Sequence, residues 1–103
     1  MNNRQKALNL LGLAMRAGKI VAGTDSVISE LPKRKIKVVI IANDLKDNAV
    51  EKVTRASEKN KIKIIAIFSS EELEHAIGKK RKVIGLCDAG FYKALVKKIN
   101  EGV

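Results

Sequence analysis

The sequence has few of the residues that surface chemistry usually needs. Cys87 is its one cysteine and His75 its one histidine. A lone cysteine makes neither an internal disulfide nor a multi-cysteine zinc site, which fits a reducing compartment. A lone histidine excludes a histidine-rich metal centre. No Gly-x-Ser-x-Gly elbow occurs, so no activated serine of that kind is expected. With one proline and seven glycines, the chain is neither linker-rich nor of low complexity. The apolar runs Val38 to Ala42 and Ile64 to Phe68 are strand-sized and too short to cross a bilayer. Met1-Asn2-Asn3-Arg4 leads into a helical pattern rather than a cleavable apolar segment, so a cytoplasmic protein is expected.

Negative charge is also scarce. Asp and Glu number 11 against 21 Lys and Arg, a net charge of +10 on 103 residues. So large a balance on one small domain points to a polyanionic partner. Three groups concentrate it: Lys33-Arg34-Lys35 with Lys37, Lys79-Lys80-Arg81-Lys82, and Lys93 with Lys97 and Lys98. Membrane binding would call for an amphipathic basic helix with large apolar or aromatic anchors, and no segment has that form. Phe68, Phe91 and Tyr92 are the only aromatics. Reading single strands by stacking requires aromatic platforms on adjacent strands, and none of the three falls in the middle of an expected strand. A folded RNA met by backbone groups, hydroxyls and cations is the expected partner.

Hydrophobic residues make up 46% of the chain, enough for one core. Asn2 or Asn3 caps a first expected helix, with Leu8, Leu11 and Met15 on one stripe and Gly18 ending it. Lys19 to Ala22 reads as a short extended piece. Gly23-Thr24-Asp25 turns into a second helix carrying Val27, Ile28 and Leu31, which Pro32 stops. Ile36 to Ala42, rich in β-branched residues, reads as a strand covered on both faces. After the Asn43 to Asp47 turn comes a third helix with Val50 and Val53 inside. Ile62 to Phe68 is a second long strand, and Ser69 with Glu72 forms a capping box for a short helix ending at Gly78. Lys82 to Cys87 is the last strand, and Asp88 caps a final helix with Phe91, Leu95 and Ile99 on one face. This alternation predicts an α/β fold, a three-layer α/β/α sandwich around a small mixed four-stranded sheet, as a single RNA-binding domain over residues 1–103.

Catalytic readings fail on inspection. Gly12-Leu13-Ala14-Met15-Arg16-Ala17-Gly18-Lys19-Ile20 imitates a phosphate-binding loop. It has one residue too many between the glycines, puts Ile20 where a hydroxyl must hold magnesium, and follows a helix rather than a strand. Gly18 then terminates a helix and leaves Arg16 and Lys19 as free cations. His75 reads as an exposed helix residue and Cys87 as a small core hydrophobe. Asp44, Asp47, Glu71 and Glu72 lie at helix starts, where capping and the helix dipole account for them. No enzyme activity, metal or cofactor is expected. Gly23-Thr24-Asp25-Ser26 has two readings, a plain helix cap or a docking point for phosphates and base edges on free amides. The residues alone leave both open, and capping is the simpler.

Several stretches, taken in order, resemble one family. Gly12 to Lys19, Gly23 at a helix start, Val39-Ile40-Ile41-Ala42-Asn43-Asp44, Glu72-Leu73 and Ala76-Ile77-Gly78-Lys79 are together similar to the kink-turn-binding ribosomal-protein family of L7Ae and L30e type, and to its small bacterial members. The resemblance runs from Gln5 to Leu95. It implies a non-enzymatic α/β/α sandwich that binds bent, folded RNA, with ribosomal RNA or another kink-turn RNA as partner. Carried onto this chain, it implies RNA contacts at Gly23, Thr24, Asp25 and Ser26 and at Phe68, Ser69 and Ser70. Lys19, Arg16 and the Asn43-Asp44 turn are expected to flank them. The chain departs from the best-known members in carrying Asp25-Ser26 where they have Asn-Glu, Ser29 where they have lysine, and Glu74 where they have glycine. A monomer is expected. The alternative is a protein-interaction adaptor whose positive face meets an acidic protein.

Overall fold

The computed structural model describes residues 1–103. The order of elements is α1 (Asn3–Arg16), β1 (Ile20–Ala22), α2 (Thr24–Glu30) with a 3-10 turn at Leu31–Lys33, β2 (Val38–Ile41), α3 (Asp47–Lys59), β3 (Ile64–Ile65), α4 (Ser70–Ile77), β4 (Val83–Leu86) and α5 (Ala89–Asn100). The four strands form one mixed sheet in the order β1-β4-β2-β3. β4 runs antiparallel to both β1 and β2, whereas β2 and β3 are parallel.

Alternation along β2 divides the core into two layers, because successive strand side chains point to opposite faces. Val38 and Ile40 join α1, α4 and α5 through Leu11, Leu73, Leu95 and the ring of Phe68. Val39 and Ile41 face α2 and α3 through Val27, Leu31 and Val53. β2 and β4 are buried along their whole length, as strands with helices on both faces must be. Gly85 in β4 leaves room for Ile36, whose Cδ1 would lie 2.7 Å from any Cβ built there.

The helix ends follow the sequence signals. The Asn2 side chain accepts from the Gln5 amide at the start of α1. At its end Gly18, with φ 72°, lets the Lys19 N–H donate back to the Ala14 carbonyl at 2.9 Å. Ser69 and Glu72 form the capping box of α4, and Gly78 closes it in the left-handed conformation. Asp88 caps α5 at the Phe91 amide.

The expected strand Ile62 to Phe68 is a correction. Only Ile64–Ile65 pair with β2. At one end the Ile62 N–H turns back to the Ser57 carbonyl of α3. At the other the chain leaves the sheet edge so that Phe68 enters the opposite layer. An apolar run shows that a segment is buried and cannot show that it stays in one sheet.

Candidate RNA interface

Because β1, β2 and β3 point the same way and β4 runs against them, one end of the sheet collects four connections. They are the entry to α2, the β2–α3 loop, the β3–α4 loop and the α4–β4 loop. Main-chain bonds stitch them together: the Gly23 N–H donates to the Val83 carbonyl, the Ala42 N–H to the Lys82 carbonyl and the Asn43 N–H to the Phe68 carbonyl, each at 2.8 Å.

Gly23 is the N-cap of α2, with φ 107° and ψ 145° and no side-chain cap. That backbone region is close to glycine-only. A Cβ there would meet only the Arg81 side chain, Cδ at 3.5 Å, so conformation rather than crowding calls for glycine. The Gly23 carbonyl accepts from the Val27 amide, while the N–H groups of Thr24, Asp25 and Ser26 precede the first intrahelical bond and are free. The plain capping role is therefore ruled out. Asp25 and Ser26 are exposed and Thr24 half-buried. The Asp25 carboxylate holds only an exposed ion pair, accepting from Lys52 Nζ at 3.3 Å, which is worth little in water.

The other expected contacts divide. Asn43 is exposed. The Asp44 carboxylate accepts from both the amide and the hydroxyl of Ser70. Those bonds, led by the hydroxyl, hold its pKa below the usual carboxylate value, and the charge of Lys82 adds to the effect. Asp44 and Ser70 thus tie the β2–α3 loop to the start of α4, and Ser70 is only 8% exposed. The Ser69 hydroxyl accepts from the Glu72 amide, and its own N–H donates to Glu72 Oε1. Phe68 is fully buried. The Phe68-Ser69-Ser70 contact set is therefore corrected: its ring and hydroxyls are committed inside the protein, and it shapes the surface without presenting those groups. Arg16 and Lys19 are corrected as flanking cations. Lys19 lies before β1 and Gly23 after it, about 13 Å apart along the strand, so both basic residues belong to the opposite end of the sheet.

The cations at the Gly23 end come instead from Lys46, which precedes α3, and from Lys80, Arg81 and Lys82, all exposed. Arg81 packs against Gly23 and Lys82 acts on Asp44. The basic run was visible in the sequence. Its neighbourhood was not, because it depends on β4 lying between β1 and β2.

An ion-paired clamp holds the β3–α4 loop from beneath. Arg4 Nε and Nη2 donate to the two Glu72 oxygens at 2.6 and 2.7 Å, Nη2 also donates to the Ile67 carbonyl, and the guanidinium lies 5.2 Å from the Phe68 ring centre. The Arg4 hydrogen bonds hold the Glu72 carboxyl down at about 2, against some opposing burial. A carboxyl depressed by folding adds stability above its unfolded pKa and loses it as pH falls through the folded one. Glu72→Gln keeps the capping geometry and removes the charge, so it is expected to cost about 1–2 kcal/mol at neutral pH. That cost should shrink towards zero between pH 5 and pH 2, as urea unfolding at several pH values will show. An equal cost at pH 2 would refute the ionic role.

The family model for the ribosomal protein L7Ae/L30e/S12e/Gadd45 family matches residues 5–96. The chain belongs to that family. Its relatives include the RNA-binding protein YlxQ of Enterococcus faecium, 44% identical over 97% of this chain and 96% of the relative. YlxQ of Bacillus subtilis is 38% identical over 84% and 88%. The large ribosomal subunit protein eL8 of Thermoplasma volcanium is 30% identical over 96% and 84%. Among solved structures, a Bacillus halodurans C protein of unknown function superposes with TM-score 0.86 at 32% identity, covering 92% of this chain and 97% of its own. The Giardia lamblia 15.5kD RNA binding protein has the same fold, with TM-score 0.75 at 19% identity over 96% and 86%. This L7Ae-family chain is thus YlxQ-like, and the sandwich expected from its sequence is the fold found. No helix in it is long and apolar enough to cross a membrane.

Proposed function

We propose that this protein is a non-enzymatic RNA-binding protein that docks a sharply bent RNA helix, a kink-turn or a close relative, on the sheet end around Gly23. The reading places it with the ribosome or the translation machinery, as a monomer with one RNA-binding domain. The observation that carries it is the uncapped start of α2: the free amides of Thr24, Asp25 and Ser26 stand beside Arg81 and Lys82. A bend in RNA exposes guanine edges and crowds phosphates together. Short acceptors such as the Asp25 carboxylate suit the first, and amides with cations suit the second. Relatives named as RNA-binding and ribosomal proteins support the same reading. An adaptor for an acidic protein would present apolar anchors, and the only large apolar side chains that are exposed, Met1 and Leu13, belong to the α1 segment.

The test is a titration of a kink-turn hairpin against a straight duplex of equal length, at two salt concentrations. The bent RNA is expected to bind tighter at both. Equal affinities would remove the kink-turn reading, and no binding of either would remove RNA recognition altogether. Gly23→Glu is unsuitable as the probe, since a side chain at φ 107° strains the backbone by about 1–3 kcal/mol whatever the RNA does.

A further inference from the structure

We propose that the opposite end of the sheet is a second RNA-binding surface, one that grips phosphate backbone without regard to sequence, so that the protein holds two RNA segments at once. Lys19, Lys37 and Lys63 enter β1, β2 and β3 at this end. The Cys87 N–H donates to the Lys19 carbonyl, the Lys37 N–H to the Leu86 carbonyl and the Val39 N–H to the Lys63 carbonyl, so the three lie along one edge about 14 Å across at normal strand spacing. Burial pushes the Cys87 thiol up, while Lys35 and Lys19 pull against it, which puts both ammoniums near the end of β4. All four lysines are exposed and none is ion-paired. The acids nearby are few and largely occupied: Glu30 pairs with Lys33, Asp88 caps α5, and Glu58 ends α3.

Backbone conformation sharpens the inference. The only non-glycine residues with positive φ are Arg34, at 65°, and Lys61, at 58°, and both stand at this end. Each follows a helical turn, at a position that favours glycine or asparagine. A cation at each is strain with no structural partner to explain it, since neither side chain makes an ion pair or hydrogen bond within the chain. Strain kept in this way points to use. The surface carries no large exposed apolar side chain, unlike a protein or membrane interface, whereas backbone phosphate needs cations alone.

The inference rests on the RNA-binding reading above but is tested separately. A kink-turn hairpin is fixed to beads, loaded with protein and offered a labelled straight RNA duplex. The parent is expected to capture the duplex. Lys19→Gln, Lys35→Gln and Lys37→Gln combined should abolish capture and lower the salt slope of duplex binding by about 2 to 3, with hairpin binding unchanged. Arg34→Gly with Lys61→Gly should weaken capture while raising Tm, opposite signs that a purely structural role does not produce. Hairpin bound without duplex capture overturns this inference alone, and so does capture that survives the lysine changes. Failure to bind the hairpin itself overturns the function proposed above, and the duplex titration then still reads the lysine surface independently.

Discussion

Replacing Phe68 by alanine is expected to cost about 3–5 kcal/mol, a large part of the 5–15 kcal/mol that holds a typical domain together. The ring is fully buried among Leu11, Leu73 and Leu95, and its loss leaves a cavity that close-packed neighbours fill only in part. It also removes the surface on which Arg4 rests, loosening the clamp to Glu72 and the β3–α4 loop. RNA affinity should fall with stability, as a consequence of the loop losing its anchor. Phe68→Leu separates the two roles: it keeps most of the volume and should retain RNA binding at a modest loss of Tm. Urea unfolding and fluorescence anisotropy on the same samples measure both quantities. Loss of binding in a Phe68→Leu protein of near-parental stability would restore the ring as a contact residue.

The second large effect is expected from Lys80→Ala, Arg81→Ala and Lys82→Ala combined. These side chains are exposed, so stability should change little, within the ±0.5 kcal/mol common for surface sites. Binding should change a great deal. Each cation removed takes away a charge-assisted hydrogen bond to phosphate, at about 1 kcal/mol apiece, so the three together cost about 3 kcal/mol, roughly a hundredfold in Kd. The slope of log affinity against log salt should become shallower by about 2 to 3. Kd for the kink-turn hairpin, followed from low to moderate salt, checks both. An unchanged slope would show that the run lies outside the RNA footprint and would move the interface away from Gly23.

Much of this protein could be read from local chemistry. Short-range signals located the helix ends at Asn2, Gly18, Ser69, Gly78 and Asp88, because a cap satisfies amides and carbonyls within a few residues of itself. The buried strands at Val38–Ile41 and Val83–Leu86 announced themselves as β-branched apolar runs. The importance of Gly23 was legible as a glycine before a helix, and the structure adds its φ of 107° and the missing cap. The β3–α4 loop was misread where its groups have more than one use. Ser69 and Ser70 are small polar residues whether they face RNA or a neighbouring amide, and only the placement of Asp44 and Glu72 decides.

The sequence by itself determined the α/β alternation, the two-sided core and the positive charge, since each depends on residue type and on spacing within one element. Tertiary structure alone decided which charges act together. β4 runs backwards between β1 and β2, so Arg81 and Lys82 meet Gly23, far off in sequence, while Lys19, four residues from Gly23, is carried to the other end. The physical reason is that a strand separates its two ends by its own length, whereas sheet pairing brings distant strands to within one hydrogen bond.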